Sequence, residues 1–389
     1  MCAYEELVRR LPGGAQDAMD WDGAMHGPLG WVLGRMAGTP QDPQAHGEGD
    51  VLTHTRMTCA VLEALPGWQA LPPRQRQMVY LAALLHDAGK PGCTRLEDGR
   101  WTSRGHSDAG ARLARELLWD EYAMCGTPEA VEFRECVCAL VEHHALPLHL
   151  SGHAEPEREA TRLAALGELA HGFTLEGLAL LAEADVRGRE CEDAGRMLRA
   201  IEQFRELAAD AGCLTGPRAF ESAHSRREYM AGRDVAPGCA SGDAGWGPVV
   251  LMSGLPGTGK DEFIRRELAQ LPVVSLDELR LRMGISLSEY QGPVVNAATE
   301  LAREHLRARR PFVWNATNLT PWMRARQISL FERYGAAVRV IYLETTLDAQ
   351  QRRNESREYV VPDGTIADMR RQTTLPTHAE AQDVEWICV

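Results

Sequence analysis

Apolar residues recur at three- and four-residue spacings through the first half of the chain, from about residue 54 to about residue 213. This spacing places them along one face of a helix. The clearest stretches are VYLAALLHDAG, AGARLARELLWDEYA, FRECVCALVEHH, LEGLALLAEADV and GRMLRAIEQFRELAADAG. No alternating apolar and polar pattern interrupts them. We therefore expect an all-α helical bundle over residues 1–215.

The pattern changes in the second half of the chain. Residues 216–247 are rich in Gly, Pro, Ser, Ala and charged residues, which is typical of a linker, and a short helix is expected over Glu221–Met230. From residue 248 to 389, the short apolar runs PVVLMS, PVVSL, PFVWNA and AVRVIYLE alternate with amphipathic stretches such as NAATELAREHLRARR. This alternation predicts βαβ units and an α/β domain with a parallel sheet.

Composition agrees with a globular protein of more than one domain. The 389 residues are 44% hydrophobic and 25% charged. No stretch approaches the roughly 20 apolar residues of a membrane span, and the N-terminus does not read as a signal peptide, so we expect a cytoplasmic protein without a membrane partner. The 10 cysteines form no CxxC pair, which argues against a zinc ribbon or a disulfide framework.

The formal net charge of −13 argues against a surface coated with positive charge. From Pro248 onward the acidic and basic residues balance, so a local basic groove remains compatible with that half. The candidates for such a groove are arginines, which would equally suit a solvated helix face: Arg303, Arg307, Arg309, Arg310, Arg324 and Arg326.

Lysine is almost absent. Of 42 basic residues only Lys90 and Lys260 are lysine, and both fall inside short motifs. A compact ammonium fits places that the broad, planar guanidinium does not. The two motifs therefore become the first candidates for functional sites.

A phosphate-binding loop surrounds Lys260. The sequence Gly254-Leu-Pro-Gly-Thr-Gly-Lys260-Asp261 follows a predicted strand and opens a predicted helix. In this context glycines let backbone N–H groups approach phosphate oxygens, and the lysine reaches the β- and γ-phosphates. We therefore expect ATP or another nucleoside triphosphate, with Mg²⁺, to contact this loop. Its candidate nucleotide-binding residues are Gly254, Pro256, Gly257, Thr258, Gly259, Lys260 and Asp261.

Asp261 stands where such loops usually have a serine or threonine whose hydroxyl ligates Mg²⁺. A carboxylate is also a hard oxygen ligand, so Asp261 is one candidate for holding Mg²⁺, directly or through water. The alternative is a negative charge that stabilises the helix N-terminus without touching a metal.

Further polar residues follow the later strands. Asp277 and Arg280 come after the second strand, where ligands of α/β proteins bind, and Thr317 and Asn318 follow the third. The stretch Arg353-Asn-Glu-Ser-Arg357 suits a lid over phosphates. Asp277 is either a base for a hydroxyl proton or simply a helix N-cap.

Together, these motifs resemble the phage-type 5′-hydroxyl polynucleotide kinases. The resemblance implies that Asp277 is the catalytic base and that Arg280 grips the phosphate of the acceptor nucleotide, beside Thr317 and Asn318. It also implies that Lys260 and Arg357 act on the ATP phosphates, with Arg353 as support for the lid.

The first half of the chain contains histidines and aspartates on several predicted helices. Such side chains can converge on a divalent ion, which activates water for attack on phosphorus. Singly, each histidine would more often be a surface or core residue. The candidates are His54, His86, Asp87, His106, His143, His144 and Asp185.

The order H…HDxGKP…GH…HH…D resembles the HD phosphohydrolase superfamily. The resemblance implies one ion held by His54, His86, Asp87 and Asp185, and a second near His106 and His143 or His144. It places Lys90 near the scissile phosphate. Imidazole ligands favour Mn, Co, Ni or Zn over Mg. Upstream, His46 and Glu48 lie in a segment that either covers this site or is an ordinary Pro/Gly-rich loop.

An HD domain followed by this kind of kinase resembles the bacterial HD-type polynucleotide kinase-phosphatases. The resemblance implies action on RNA or DNA ends, with a separate ligase as a further partner: hydrolysis of 2′,3′-cyclic, 2′- or 3′-phosphates and phosphorylation of 5′-hydroxyls. Two alternatives remain open. One is a small-molecule kinase with an HD nucleotidase, and the other is an HD domain that senses a nucleotide and regulates the kinase.

Overall fold

The computed structural model describes residues 3–14, 16, 18–240, 242, 245–286, 289–357 and 359–389. The chain divides into two compact units. The first ends at Arg218, and the second comprises Ala219–Val389 together with the short segment Cys125–Pro128. Within the described residues, every helix is too short or too polar to cross a membrane.

The first unit is predominantly helical, as its apolar spacing predicts. Its helices are α1 (Ala3–Arg10), α2 (Trp21–His26), α3 (Gly30–Met36), α4 (Val51–Ala64), α5 (Pro66–Ala70), α6 (Pro73–Leu85), α7 (Lys90–Cys93), α8 (His106–Glu116), α9 (Pro128–His143), α10 (Pro156–Ala164), α11 (Leu175–Arg187) and α12 (Ala194–Asp210). A π-helical turn continues α8 over Leu117–Glu121, and 3-10 turns lie at Leu146–Leu148, Leu150–Gly152 and Ala165–Glu168.

Three mutually packed helices, α4, α6 and α11, form the centre of this unit. From Gln77 to Leu85 every residue of α6 is buried, so this part of the helix has no solvated face. A helix that is apolar all round belongs in a core rather than on a surface. This central position matters for the site, because α4, α6 and α11 carry or adjoin its buried polar side chains.

The expectation of helices alone was wrong at one place. Strands β1 (Arg95–Glu97) and β2 (Arg100–Thr102) form an antiparallel hairpin. Asp98 and Gly99 connect them, both with positive φ, at 49° and 78°. An Asp-Gly pair favours this tight turn. The strands are too short to show an alternating pattern, so only the Asp-Gly pair signals them in the sequence.

The second unit combines strands and helices in alternation. Its elements are α13 (Ala223–Met230), β3 (Trp246–Ser253), α14 (Lys260–Glu267), β4 (Val273–Ser275), α15 (Leu276–Met283), α16 (Gly292–Arg307), β5 (Val313–Asn315), α17 (Pro321–Arg333), β6 (Ala336–Glu344), α18 (Leu347–Glu355), α19 (Asp363–Gln372) and β7 (Asp383–Cys388).

Part of the segment predicted as a linker is helical. Ser222 caps α13 by accepting a hydrogen bond from the Ser225 N–H at 3.0 Å, and Arg227 Nε donates to Glu332 Oε1 at 2.6 Å. Helix α13 therefore contacts α17 within the second unit. Three residues of the predicted linker, Ser241, Asp243 and Ala244, lie outside the described residues.

The sheet of the second unit has the order β4-β5-β3-β6-β7 among the described residues, with all pairs parallel. Four of these strands coincide with the predicted apolar runs, and β7 was not predicted. The core between the sheet and α14 includes Met252, Val313 and Ile341 packed with Phe263 and Ile264. Since the strands are parallel, their carboxyl ends share one edge, where ligands of such sheets bind.

Candidate active sites

The residues predicted as metal ligands come together in the first unit, with His144 rather than His143 among them. They approach from several elements: His54 from the first turn of α4, His86 and Asp87 from the end of α6, His106 from the start of α8, His144 from the residue after α9, and Asp185 from α11. We call these six residues the HD cluster.

One half of the HD cluster surrounds His54. Its Nε2 lies 2.9 Å from Asp185 Oδ1 and 3.4 Å from His86 Nε2. His86 Nε2 lies 3.2 Å from Asp87 Oδ2. All four side chains are buried. Two imidazoles and two carboxylates at these distances match the ligand set of one divalent transition metal.

The other half joins Asp87 to His106 and His144. Asp87 Oδ1 lies 3.4 Å from His106 Nε2, which is 3.4 Å from His144 Nε2. Donor atoms of these three residues all lie within 4.8 Å of one another. Asp87 thus presents one oxygen to each half, and it would be able to hold a metal in either half.

Backbone contacts orient three of the imidazoles. His86, His106 and His144 each donate the Nδ1 proton to the carbonyl three residues earlier, at 2.8, 2.8 and 2.7 Å. This hydrogen bond selects the tautomer whose Nε2 carries the free lone pair. In each case Nε2 is the atom that faces the cluster, so the rings are preset as ligands.

Asp87 and His144 are held in the protonation states that bind a metal, whereas His54 is not. Burial raises the pKa of Asp87, but Lys90 and His86 outweigh it and hold that pKa well below the usual value. Burial lowers the pKa of His144 to about 3, which keeps its imidazole neutral. Asp87 Oδ2 is buried, and its nearest positive group is the ammonium of Lys90, at 2.7 Å. Ionised carboxylates and neutral imidazoles are the forms that bind metals. Burial lowers the pKa of His54, but Asp185 and Glu48 outweigh it and raise that pKa to about 9, so a metal would displace a proton from this imidazole.

Two other predicted residues, His143 and Lys90, lie outside the HD cluster itself. His143 is half-buried at the end of α9, whereas His144 is buried in the cluster. Lys90 Nζ lies 2.7 Å from Asp87 Oδ2 and donates to Gln41 Oε1 at 2.7 Å. The ammonium therefore adjoins the carboxylate that faces both halves of the HD cluster.

Sequence reasoning missed Arg189 and Gln41. Arg189 Nε donates to Asp185 Oδ1 at 3.0 Å, and a second guanidinium nitrogen contacts Oδ2. The only signal for Arg189 is its position four residues after Asp185, one helical turn away. Gln41 approaches Lys90 across 49 positions, a contact that no local pattern predicts.

The phosphate-binding loop has the expected geometry in the second unit. Gly254 and Gly257 have φ of 142° and 80°, and an added Cβ would lie 2.5 and 2.6 Å from the carbonyl oxygens of Leu343 and Gln350. Only glycine fits both positions. Lys260 Nζ donates to the carbonyls of Gly254 and Leu255, each at 2.8 Å.

Other members of the predicted nucleotide site support the loop. Thr258 is buried and donates its hydroxyl proton to the Leu255 carbonyl at 2.9 Å. Arg353 Nη1 donates to the Thr258 carbonyl at 3.2 Å, and Gln350 Nε2, which sequence reasoning missed, donates to the Pro256 carbonyl at 3.0 Å. Helix α18, which carries Arg353 and Gln350, thereby holds the loop in shape.

Asp261 lies in the first turn of α14, and its Oδ1 accepts a hydrogen bond from Asn315 Nδ2 at 2.7 Å. Asn315 ends β5, the strand beside β3, so this bond ties the start of α14 to the neighbouring strand. One Asp261 oxygen is therefore already bonded to protein. The second oxygen is the candidate metal ligand.

Asp277 is not the N-cap of its helix. Ser275 caps α15 by accepting from the Glu278 N–H at 3.3 Å. Asp277 instead contacts Arg280 through Oδ1 and accepts from Arg357 Nη2 through Oδ2 at 2.8 Å. Partial burial raises the pKa of this carboxyl, but the two arginines outweigh it and lower that pKa below its usual value.

Lys260, Asp277 and Arg357 belong to one electrostatic site. Burial lowers the pKa of Lys260 to about 8, Asp277 opposes that shift, and Arg357 adds to it. Charges influence one another in this way only over short distances. Asp277 and Arg357 are in direct contact. Lys260 follows β3 and Asp277 follows β4, so both lie at the carboxyl edge of the sheet.

Thr317 and Asn318 contribute to the loop structure. The Thr317 carbonyl accepts from the Gly254 N–H at 2.9 Å. Asn318 is buried with a positive φ of 46°, and its Nδ2 donates to the Met252 carbonyl at 2.7 Å. The side-chain nitrogen of Asn318 therefore binds the backbone of β3. Any contact of this turn with substrate would have to come from other atoms.

The expected basic groove loses one member. Arg324 is fully buried, pairs with Glu380 at 2.7 Å and donates to the Thr374 carbonyl at 2.8 Å, so it is a structural residue. Arg303 pairs with Glu300. The remaining candidates are exposed: Arg307, Arg309, Arg310 and Arg326.

Two family models match separate parts of the chain. Residues 51–172 match the HD domain family and include most of the HD cluster, whereas Asp185 lies beyond the match. Residues 249–376 match an AAA domain family and include the phosphate-binding loop, Asp277 and Arg357. The chain therefore joins an HD domain to a C-terminal P-loop kinase-like domain.

No curated protein matches the chain. Among solved structures, an unliganded sugar kinase from Janibacter sp. HTCC2649 is similar, with 16% identity and a TM-score of 0.28. The similarity covers 36% of this chain and 84% of that chain. A likeness at this level does not identify an acceptor.

Proposed function

We propose that the chain is a bifunctional enzyme that heals nucleic-acid ends. The HD domain hydrolyses 2′,3′-cyclic, 2′- or 3′-phosphate ends, and the kinase domain transfers the γ-phosphate of ATP to 5′-hydroxyl ends. A separate ligase would then receive the 3′-hydroxyl and 5′-phosphate that it needs. The observation that carries the proposal is the grouping of Asp277, Arg280, Arg357 and Lys260 at one edge of the sheet.

The kinase step follows from these contacts. Lys260 and Arg357 attract the phosphates of ATP, and Mg²⁺ would add charge neutralisation near Asp261. When the phosphates draw Arg357 away, Asp277 loses one of its two positive partners, and its pKa rises toward that of a useful base. Asp277 then accepts the proton of the attacking hydroxyl, while Arg280 remains beside it to bind a phosphate of the acceptor.

Exposed aromatic side chains support a polynucleotide acceptor. Trp322 is 72% exposed in the first turn of α17, which follows β5 at the carboxyl edge of the sheet. Tyr290 is 83% exposed and precedes Gln291, whose Oε1 accepts from Arg280 Nε at 2.8 Å. Exposed aromatic rings near phosphate-binding arginines are suited to stacking on the bases of single strands.

The HD cluster supports phosphoester hydrolysis. Divalent ions bound there would supply an activated water and charge neutralisation. The protein orients the ligands through Nδ1 contacts and places the Lys90 ammonium beside Asp87, where it attracts a phosphate. Because histidines dominate the ligand set, we expect Mn²⁺, Co²⁺, Ni²⁺ or Zn²⁺ to support this reaction better than Mg²⁺.

A doubly modified oligonucleotide tests the proposal. The full chain is incubated with RNA and DNA oligonucleotides carrying a 5′-hydroxyl and a 3′-phosphate or 2′,3′-cyclic phosphate, with ATP and each divalent metal in turn. Analysis of both ends should show a new 5′-phosphate and a 3′-terminus freed of phosphate. A kinase that phosphorylates sugars or nucleosides but ignores oligonucleotides would contradict it, as would an HD domain that binds nucleotides without hydrolysing any end.

A further inference from the structure

The loop before α4 reaches the HD cluster from outside the HD family match. We call residues 39–50 the pre-α4 loop. Asp50 ends it and caps α4 by accepting from the Thr53 N–H at 2.8 Å, which sets the direction of the helix that carries His54. Two positions earlier, Glu48 points a carboxylate at the same histidine.

The carboxylate of Glu48 is almost fully enclosed, with 1% of its side chain exposed. Oε1 lies 2.8 Å from His54 Nδ1 and 2.8 Å from His46 Nδ1. Oε2 accepts from the Glu190 N–H at 3.0 Å, and the Gly47 N–H donates back to the Glu190 carbonyl at 3.0 Å. Glu48 is therefore held at a fixed place by the chain that follows α11.

His54 differs from the other imidazoles of the HD cluster in what orients it. His86, His106 and His144 donate Nδ1–H to backbone carbonyls. His54 Nδ1 instead lies at ion-pair distance from a Glu48 oxygen, 2.8 Å away, without an aligned hydrogen bond. Its Nε2 faces Asp185 and His86 inside the cluster. A carboxylate on the far nitrogen fixes the ring and makes the near nitrogen a stronger donor to a metal.

We propose that Glu48 is the positioning residue of the HD metal centre. It orients His54 as a ligand and thereby sets the affinity of the His54 half of the cluster for a divalent transition metal. The inference rests on the proposed metal-dependent function of the HD cluster. Through Glu48, the pre-α4 loop would help to position a ligand of the metal centre.

A direct ligand role for Glu48 is disfavoured by the geometry. His46, Glu48 and His54 do place donor atoms within 4.8 Å of one another. However, the His54 atom in that group is Nδ1, which faces away from Asp185 and Asp87. Both Glu48 oxygens are also in contact with protein groups, one with the two imidazoles and the other with the Glu190 N–H.

Titration with Mn²⁺ alone tests this role without relying on turnover. The metal-free full chain is titrated with MnCl₂, and free Mn²⁺ is followed by electron paramagnetic resonance. His54→Ala and His106→Ala assign the binding steps to the two halves of the cluster. Glu48→Gln should keep the number of bound ions but weaken the His54 step by about 10–100-fold. Excess Mn²⁺ should then restore full occupancy.

Asp42→Asn is the matched control. It removes one carboxylate from the same loop, but that carboxylate pairs with Arg100 rather than with the HD cluster. It should leave both Mn²⁺ affinities unchanged.

Three results would overturn the inference. The first is an unchanged Mn²⁺ affinity in Glu48→Gln, even if its melting temperature is lower. The second is an equal loss of Mn²⁺ affinity in Asp42→Asn, and the third is the loss of one bound ion while the His54 step is unaffected. A weakened His54 step in a protein whose wild type hydrolyses no phosphate end would support the inference and refute the proposed hydrolysis.

Discussion

Both lysines of the chain lie against oxygen atoms in confined places. Lys260 donates to two carbonyls of the phosphate-binding loop, and Lys90 lies between the Asp87 carboxylate and the Gln41 amide oxygen. An ammonium can approach several oxygens from one point, whereas a guanidinium spreads its donors over a plane. At the scale of the residue, shape distinguishes these positions from the many arginines of the chain.

Lys260→Arg should lose kinase activity although it keeps the positive charge. The larger head group cannot occupy the cradle without displacing the phosphates, and a displacement of about 1 Å can cost about 100-fold in rate. The measurement is 5′-phosphorylation at saturating ATP. Arg265→Lys, an exposed change on the same helix, is the control and should be fully active. An active Lys260→Arg enzyme would show that the shape of the lysine head group is not required at this position.

Asp277→Asn should retain ATP binding but lose about 10²–10⁴-fold in 5′-phosphorylation, since the amide has nearly the same shape but cannot take the proton. Binding is measured by calorimetry and turnover by end-labelling. Glu278→Gln provides a comparison, because Glu278 is an exposed carboxylate on the next residue that pairs with Arg282. Near-normal turnover of Asp277→Asn would leave Asp277 only as an ion-pair partner of the two arginines.

The affinity for ATP should fall above pH 8. Burial lowers the pKa of Lys260 to about 8, so the ammonium is present below that pH and is lost as the pH rises through it. If ATP requires the charged form, its Kd should rise by up to about tenfold per pH unit above 8. Calorimetry from pH 6.5 to 9.5 measures this. Lys260→Met should bind weakly with no inflection near pH 8, and a flat wild-type profile would refute the assignment.

At the scale of the element, one edge of the parallel sheet collects the kinase residues. The phosphate-binding loop follows β3, Asp277 follows β4, and Thr317 follows β5. Parallel strands bring these separate stretches together because their carboxyl ends meet at one edge. The apolar runs therefore predicted four of the five described strands, and the motif positions predicted that these residues meet at one edge.

Other parts of the fold and sites were not accessible to sequence reasoning. Strand β7, DVEWIC, combines charged and apolar residues at the edge of the sheet and lacks a long apolar run. The choice between His143 and His144 depends on which of the two side chains at the end of α9 reaches His86 and His106. The burial of Arg324 depends on Glu380, which lies 56 positions away. Each of these features is set by packing between distant segments.

The start of α4 allows a test of how an element positions a ligand. Asp50→Ala removes the side chain that accepts from the Thr53 N–H, so the free energy of unfolding should fall by about 0.5–2 kcal/mol. His54 lies in the first turn of α4, so Mn²⁺ binding should weaken as well. Asp50→Ser keeps a capping oxygen and should recover most of the stability. Equal urea denaturation curves for both variants and the wild type would exclude a capping role.

At the scale of the whole molecule, the candidate residues for the two proposed reactions lie in different units. The HD cluster lies within the first unit, and the phosphate-binding loop, Asp277 and the lid arginines lie within the second. The matches to two different families follow the same division. We infer that hydrolysis and phosphorylation do not share catalytic groups.

The two reactions should therefore be separable by single substitutions. Asp87→Ala removes the carboxylate common to both halves of the HD cluster, so release of 3′-end phosphate should stop while 5′-phosphorylation with Mg²⁺ and ATP continues. Lys260→Ala should have the opposite effect. Both activities are measured on one oligonucleotide with a 5′-hydroxyl and a 3′-phosphate, and circular dichroism confirms that each variant is folded. If a folded Asp87→Ala protein has no kinase activity, the HD domain regulates the kinase, and the model of two independent sites is wrong.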